Sequence, residues 1–179
     1  MVCYFFYFII IIFIIFLFIY FLQTNFFSWY NIAGIKPNLF IVFTLFIGLY
    51  LGRNYGLGLG IMFGLFLDFF VSKRIGLNAI MLGISGLLGG ILDKSFSKES
   101  RITFMLMTIL VTILCEIISY TLQIILLSAD SNFINFMKII LIEAIYNAIL
   151  IIILYPLIQK LGNKTEEIFT ETKSFMKYY

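Results

Sequence analysis

Apolar positions in this chain fall in long unbroken blocks, separated by short polar punctuation, instead of recurring with the period of an amphipathic helix or strand. Residues 1–22 carry no charge, and a hydrocarbon core takes about 20 apolar residues to cross as a helix. A polar and aromatic connection, 23–37, leads to two shorter apolar segments, 38–52 and 55–71, divided only by Arg53 and Asn54. Joined, they would make a helix about 50 Å long at 1.5 Å per residue, so a tight helical hairpin is expected. Tilt, or extension of the helix back into Ile35, Lys36 and Pro37, would compensate for the short limbs. Segment 77–92 follows the basic turn at 72–76, and segments 102–127 and 138–158 complete the series. The pattern predicts an all-α membrane protein, a six-transmembrane-helix bundle forming a single domain over 1–158, with a tail at 159–179. The first segment has no basic residue before it and no small-residue cleavage site after it, so it is read as a retained helix and not as a signal peptide.

Composition sharpens this picture. Hydrophobic residues make up 63% of the chain and charged residues 12%, against roughly 45–50% and about 25% in soluble domains. Too little polar surface is left to solvate a globular fold. The absence of His removes imidazole bases, Ser-His triads and His-ligated metals, and two distant cysteines, Cys3 and Cys115, make no metal knuckle. No catalytic constellation, cofactor or metal is expected. A net charge of +3 spread over connections gives nucleic acid no footprint. Orientation follows from the basic residues: with both termini cytoplasmic, eight of the twelve lie inside (Arg53, Lys94, Lys98, Arg101, Lys160, Lys164, Lys173, Lys177). Lys36, Lys73, Arg74 and Lys138 then lie outside.

Helices in lipid gain nothing from hydrophobic association, so small residues that allow close backbone approach mark the contacts. Gly48 and Gly52 on the second segment, Gly56, Gly60 and Gly64 on the third, and Gly83, Gly86 and Gly90 on the fourth are the expected packing positions. Spacing by four keeps Gly56, Gly60, Gly64 and Asp68 on one face. The first segment has no Gly, Ala or Ser, which suits contact with lipid or another subunit, and Phe→Leu changes there are expected to be nearly silent. Three acids fall inside spans, and intramembrane acids are functional candidates by default. Glu116 shares a face with Tyr120 and Gln123, and Glu143 with Tyr146 and Asn147. If those faces meet, one shared proton with amide and phenol donors would satisfy both acids, as a polar cavity or proton site or as an interhelical clamp. Asp68 reads either as an anchor for the following turn or as a partner-binding acid. Ile168, Phe169, Phe175, Met176, Tyr178 and Tyr179 in the tail would seat a short amphipathic segment on the inner leaflet.

Three features between Lys36 and Ile80 carry a family likeness: Pro37 opening the second segment, the block Gly60, Gly64, Leu65, Asp68, and the run Gly76, Leu77, Asn78, Ala79. In order and spacing the stretch resembles the rod shape-determining membrane protein family MreD. The resemblance implies a non-enzymatic scaffold of the bacterial elongation machinery in the cell membrane. Its expected direct partner is MreC, linked indirectly to MreB filaments, the RodA glycosyltransferase and a class-B penicillin-binding transpeptidase. The alternative is the substrate-binding S component of an energy-coupling-factor vitamin transporter, a six-span protein whose fold the MreD family is held to share. Against it, the first segment lacks the small residues with which such components dock their coupling subunit, and Glu143, Tyr146 and Asn147 are the only evident pocket residues.

Overall fold

The computed structural model describes residues 2–71, 76–93, 100–127 and 132–176, with side chains placed over 9–71, 76–93, 100–125 and 132–162. Lys73, Arg74, Lys94, Lys98, Lys177, Tyr178 and Tyr179 lie outside the described residues, as do the side chains of Cys3, Lys164, Lys173, Ile168, Phe169, Phe175 and Met176. The elements are α1 (Val2–Phe21), a π-helical turn (Leu22–Phe26), α2 (Phe27–Trp29), α3 (Leu39–Leu51), α4 (Arg53–Phe70), α5 (Leu77–Leu92), α6 (Arg101–Leu127) and α7 (Phe133–Met176). Among the described residues there is no strand, only a bridge between Ile32 and Ile35. Three stretches are long and apolar enough to cross a membrane: Ile9–Trp29, Arg101–Ile125 and Phe133–Gly162. The chain is an all-α membrane protein.

Three short helices, α3, α4 and α5, pack most closely, and glycine is the reason. Gly48, Gly56 and Gly86 bring three backbones together at one point: a Cβ on Gly56 would land on the Gly86 carbonyl and the Gly48 Cα, and one on Gly86 on the Gly56 carbonyl. Above and below, Gly60 faces the Leu82 carbonyl, Gly64 the Ala79 Cα, Gly89 the Leu45 carbonyl and Gly90 the backbone of Arg53. Backbone cannot give way as a side-chain end can, so these contacts admit only hydrogen at Cα. Gly83 instead faces side chains, those of Ile61 and Leu57. Ser85 adds a polar stitch, its hydroxyl donating to the Ile41 carbonyl at 3.0 Å in the buried α3–α5 seam.

Gly52 corrects one expectation. It is the single residue between α3 and α4, at φ +91°, and a Cβ there meets nothing. Its part is the reversal itself, which L side chains adopt only under strain, and not packing. Arg53 and Asn54, expected in the connection, open α4. Pro37 also differs from expectation. The extension through Ile35, Lys36 and Pro37 does not form, because Ile32 and Ile35 exchange backbone hydrogen bonds and α3 starts after the N-cap Asn38.

The connection after α1 is more helical than expected. Thr24 Oγ1 donates to the Tyr20 carbonyl (2.8 Å) and Asn25 Nδ2 to the Phe21 carbonyl (3.0 Å), so side chains sustain the turn through the π segment. α1 itself is not uniformly lipid-facing. Phe16 is wholly buried and stacks on Phe63, with ring centroids 4.3 Å apart and planes 8° from parallel, while Ile14, Phe18 and Phe21 stay exposed. A narrow apolar crevice of about 380 Å³ opens between α1, α3 and α7, walled by residues such as Ile15, Phe43 and Leu157.

The expected break at 158 is absent, because α7 runs on through Pro156 to Met176. The charge at Lys160 does not stop the helix, and Pro156 removes one backbone donor without ending it. Gly162 seats the Tyr50 ring against α7, a contact with no counterpart among the expected packing glycines.

Candidate functional site

Short helices inside a bundle create a definite chemical problem. The first backbone N–H groups of a helix have no partner within it, and in a low-dielectric interior each orphan is costly. Both α3 and α5 begin in this situation, and each is capped by side chains from elsewhere in the chain.

At α5 the cap is Asp68, on the same face of α4 as Gly56, Gly60 and Gly64. It is 1% exposed. Its Oδ2 accepts from the Gly76 N–H (2.7 Å) and the Ala79 N–H (3.2 Å), and its Oδ1 from the Asn78 N–H (3.1 Å) and Asn78 Nδ2 (2.9 Å). The N-cap residue, Gly76, sits at φ +104°, where a side chain is strained, and has no side chain with which to cap. The aspartate of the preceding helix therefore takes the role, at the end of α5 where the helix dipole favours negative charge. Gly64 lets the two helices close until Asp68 reaches, since a Cβ there would strike Asn78 and Ala79. The motif residues Gly60, Gly64, Asp68, Gly76 and Asn78 thus form one clasp, with Asp68 as an anchor of the turn.

At α3 the cap is composite. Asn147 of α7, wholly buried, accepts from the Asn38 N–H through Oδ1 (2.8 Å) and donates through Nδ2 to Thr112 Oγ1 of α6 (3.0 Å). Gln23 accepts from the Leu39 N–H (3.3 Å) and donates to the Pro37 carbonyl. Asn38 also accepts from the Ile41 N–H (3.4 Å). Pro37 thus leads into the helix as a carbonyl acceptor instead of opening its first turn.

The other polar residues divide. Glu116 and Glu143 face each other across α6 and α7, with the Asn38 side chain against Glu143. Tyr120 and Gln123, expected on the same polar face, are engaged elsewhere. Tyr120 stacks on Phe136, centroids 3.8 Å apart, and Gln123 donates to Ser119 of its own helix at 3.0 Å. Aromatic overlap and an i, i+4 bond satisfy them locally. Tyr146 turns outward to donate to the Tyr30 carbonyl at 2.6 Å, tying the segment after α2 onto α7. Sequence reasoning did not single out Gln23 or Thr112. Gln23 lies just past an apolar block and Thr112 resembles any small membrane residue, so neither carried a signal of its own. Among the described residues no group of three His, Cys, Asp or Glu side chains is placed to hold a metal ion.

Comparison with known families gives one match: the family model described as rod shape-determining protein MreD covers residues 4–165 of the 179. No curated protein and no solved structure matches the chain.

Proposed function

Because the chain belongs to the MreD family of rod shape-determining membrane proteins, we propose that it is a non-enzymatic scaffold of the bacterial elongation machinery. In this reading it sits in the cell (inner) membrane as six spans over residues 1–158, with both termini cytoplasmic. It binds MreC directly and, through MreC, couples MreB filaments to RodA and a class-B penicillin-binding transpeptidase during peptidoglycan synthesis. The family match over most of the chain is the observation that carries this. The residues agree with it: the buried Asp68 and Asn147 are spent on capping α5 and α3, and glycine contacts lock the centre, as a rigid platform requires. Short central helices fit a six-span topology by tilt or local thinning of the bilayer, and the preponderance of inward Lys and Arg fits both termini inside.

Purification of the tagged protein from its native membrane in mild detergent, followed by identification of its companions, tests the reading. Recovery of MreC with the wall synthases is the expected result. Recovery of paired ATPases and a membrane coupling subunit would replace it with the S-component reading.

A further inference from the structure

Two contacts fix the register of α6 against α7. Thr112 bonds Asn147, and Tyr120 stacks on Phe136. Glu116 lies one turn from Thr112 toward Tyr120, and Glu143 one turn from Asn147 toward Phe136, so antiparallel helices set the two carboxyl groups opposite each other between those contacts. Their side chains meet there. Glu143 is 6% exposed, and its Oε1 has no hydrogen-bond partner among the described residues.

The groups around the acids leave few chemical options. Asn38 reaches Glu143 from the start of α3. Cys115, beside Glu116, turns its Sγ to the Met81 carbonyl of α5 (3.6 Å). The Tyr146 hydroxyl is committed to Tyr30 and the Tyr120 ring to Phe136. Among the described residues no Lys or Arg acts on either acid. Asn38 and the positive end of the α3 dipole favour one negative charge here, but nothing balances a second. Two carboxylates offer each other only acceptors, and carboxyl groups this close satisfy one another when a single proton lies between them. Thr112 and Asn147 are wholly buried on one side of the acids, so the seam is closed to any larger ligand there.

We propose that Glu116 and Glu143 form a proton-binding site that fastens α6 to α7: one proton taken from water is held between a Glu116 oxygen and Glu143 Oε1, and its loss to water loosens the seam. The site lies one turn from Asn147, so loosening would also loosen the cap on α3. This holds whether or not the scaffold reading does.

The test uses the full chain in lipid vesicles, followed by infrared spectroscopy and thermal unfolding as pH is varied. Expected is a protonated-carboxyl carbonyl stretch at neutral pH that disappears on alkalinisation, together with a fall in the wild-type thermal midpoint. In E116Q and E143Q the new amide donates to the remaining carboxylate, so both the band and the pH dependence of the midpoint should be lost. A wild-type spectrum with no such band, a band that persists in the E116Q/E143Q double variant, or a midpoint equally pH-dependent in wild type and single variants would overturn the proposal. Should the variants fail to assemble, the wild-type titration alone decides: either a missing band or a flat midpoint rejects the site.

Discussion

The α4–α5 pair and the α6–α7 pair solve the same problem by opposite means. Between α4 and α5 the side chains are removed: Gly56, Gly60 and Gly64 meet Gly86, Leu82 and Ala79 at the level of the backbone. Between α6 and α7 the helices keep their side chains and are joined by Asn147 with Thr112, Tyr120 with Phe136, and the two facing glutamates. In lipid both devices supply what hydrophobic burial cannot. They differ in tolerance. A backbone contact has no room for one methyl group, whereas a polar contact can lose a bond without forcing the two backbones apart.

The largest effect should therefore come from the glycine seam. Gly86→Leu or Gly60→Leu is expected to abolish folded protein, since overpacking costs about 1–3 kcal/mol even where side chains can yield and here backbone would have to move. Gly58→Ala, in open space on the exposed face of α4, should be neutral or stabilise by up to about 1 kcal/mol. Detergent-resistant folded yield separates the two, and equal yields would break the comparison.

Next in size is the clasp at Asp68. Asp68→Ala orphans the backbone N–H groups of Gly76, Asn78 and Ala79, of which the buried Ala79 N–H alone is worth about 1–3 kcal/mol. Asp68→Asn keeps one acceptor oxygen but turns an NH2 toward the N–H pair served by the other, so its loss should be intermediate. Thermal midpoints in detergent give the order, and an Asn variant as damaged as Ala would mean that charge, not hydrogen bonding, holds the turn.

A smaller effect is expected on the polar seam. Thr112→Val deletes one partner of Asn147 but leaves the bond to Asn38, at a cost of about 0.6–1.7 kcal/mol for an interhelical bond in lipid. Asn147→Leu removes both and should cost more. A double-mutant cycle measures the coupling, and zero coupling would remove Asn147 as the link between α3 and α6. The smallest difference separates Phe16→Ala from Phe18→Ala. Lipid replaces most of what either ring loses, leaving the aromatic overlap of Phe16 with Phe63, about 1 kcal/mol. Indistinguishable unfolding of the two variants would restore the view of α1 as a face for lipid or another subunit.

Some of this was legible before any coordinates. A period of four puts Gly56, Gly60, Gly64 and Asp68 on one face, because helix geometry alone decides that. Gly48 and Gly52 show the same spacing and yet part company: one packs and the other reverses the chain, and only the break after Leu51 distinguishes them. The partners of Asp68 lie 8 to 11 residues away across a turn, close enough to expect an anchor. Those of Asn147 lie 35 and 109 residues away, and no local pattern encodes a pairing that the packing of three helices creates. The same holds for Phe16, one phenylalanine among many until Phe63 is set against it, and for α7, where Lys160 does not end the helix.

Shape complementation in a rod-shaped bacterium depleted of its own MreD, with membrane abundance scored alongside, tests most directly whether shape control rests on the glycine-packed centre. Gly56→Ala and Gly86→Ala should yield rounded cells and little protein, while Gly58→Ala yields rods. Rods and normal abundance from all three would contradict the assignment of that function to a centre held by backbone contact.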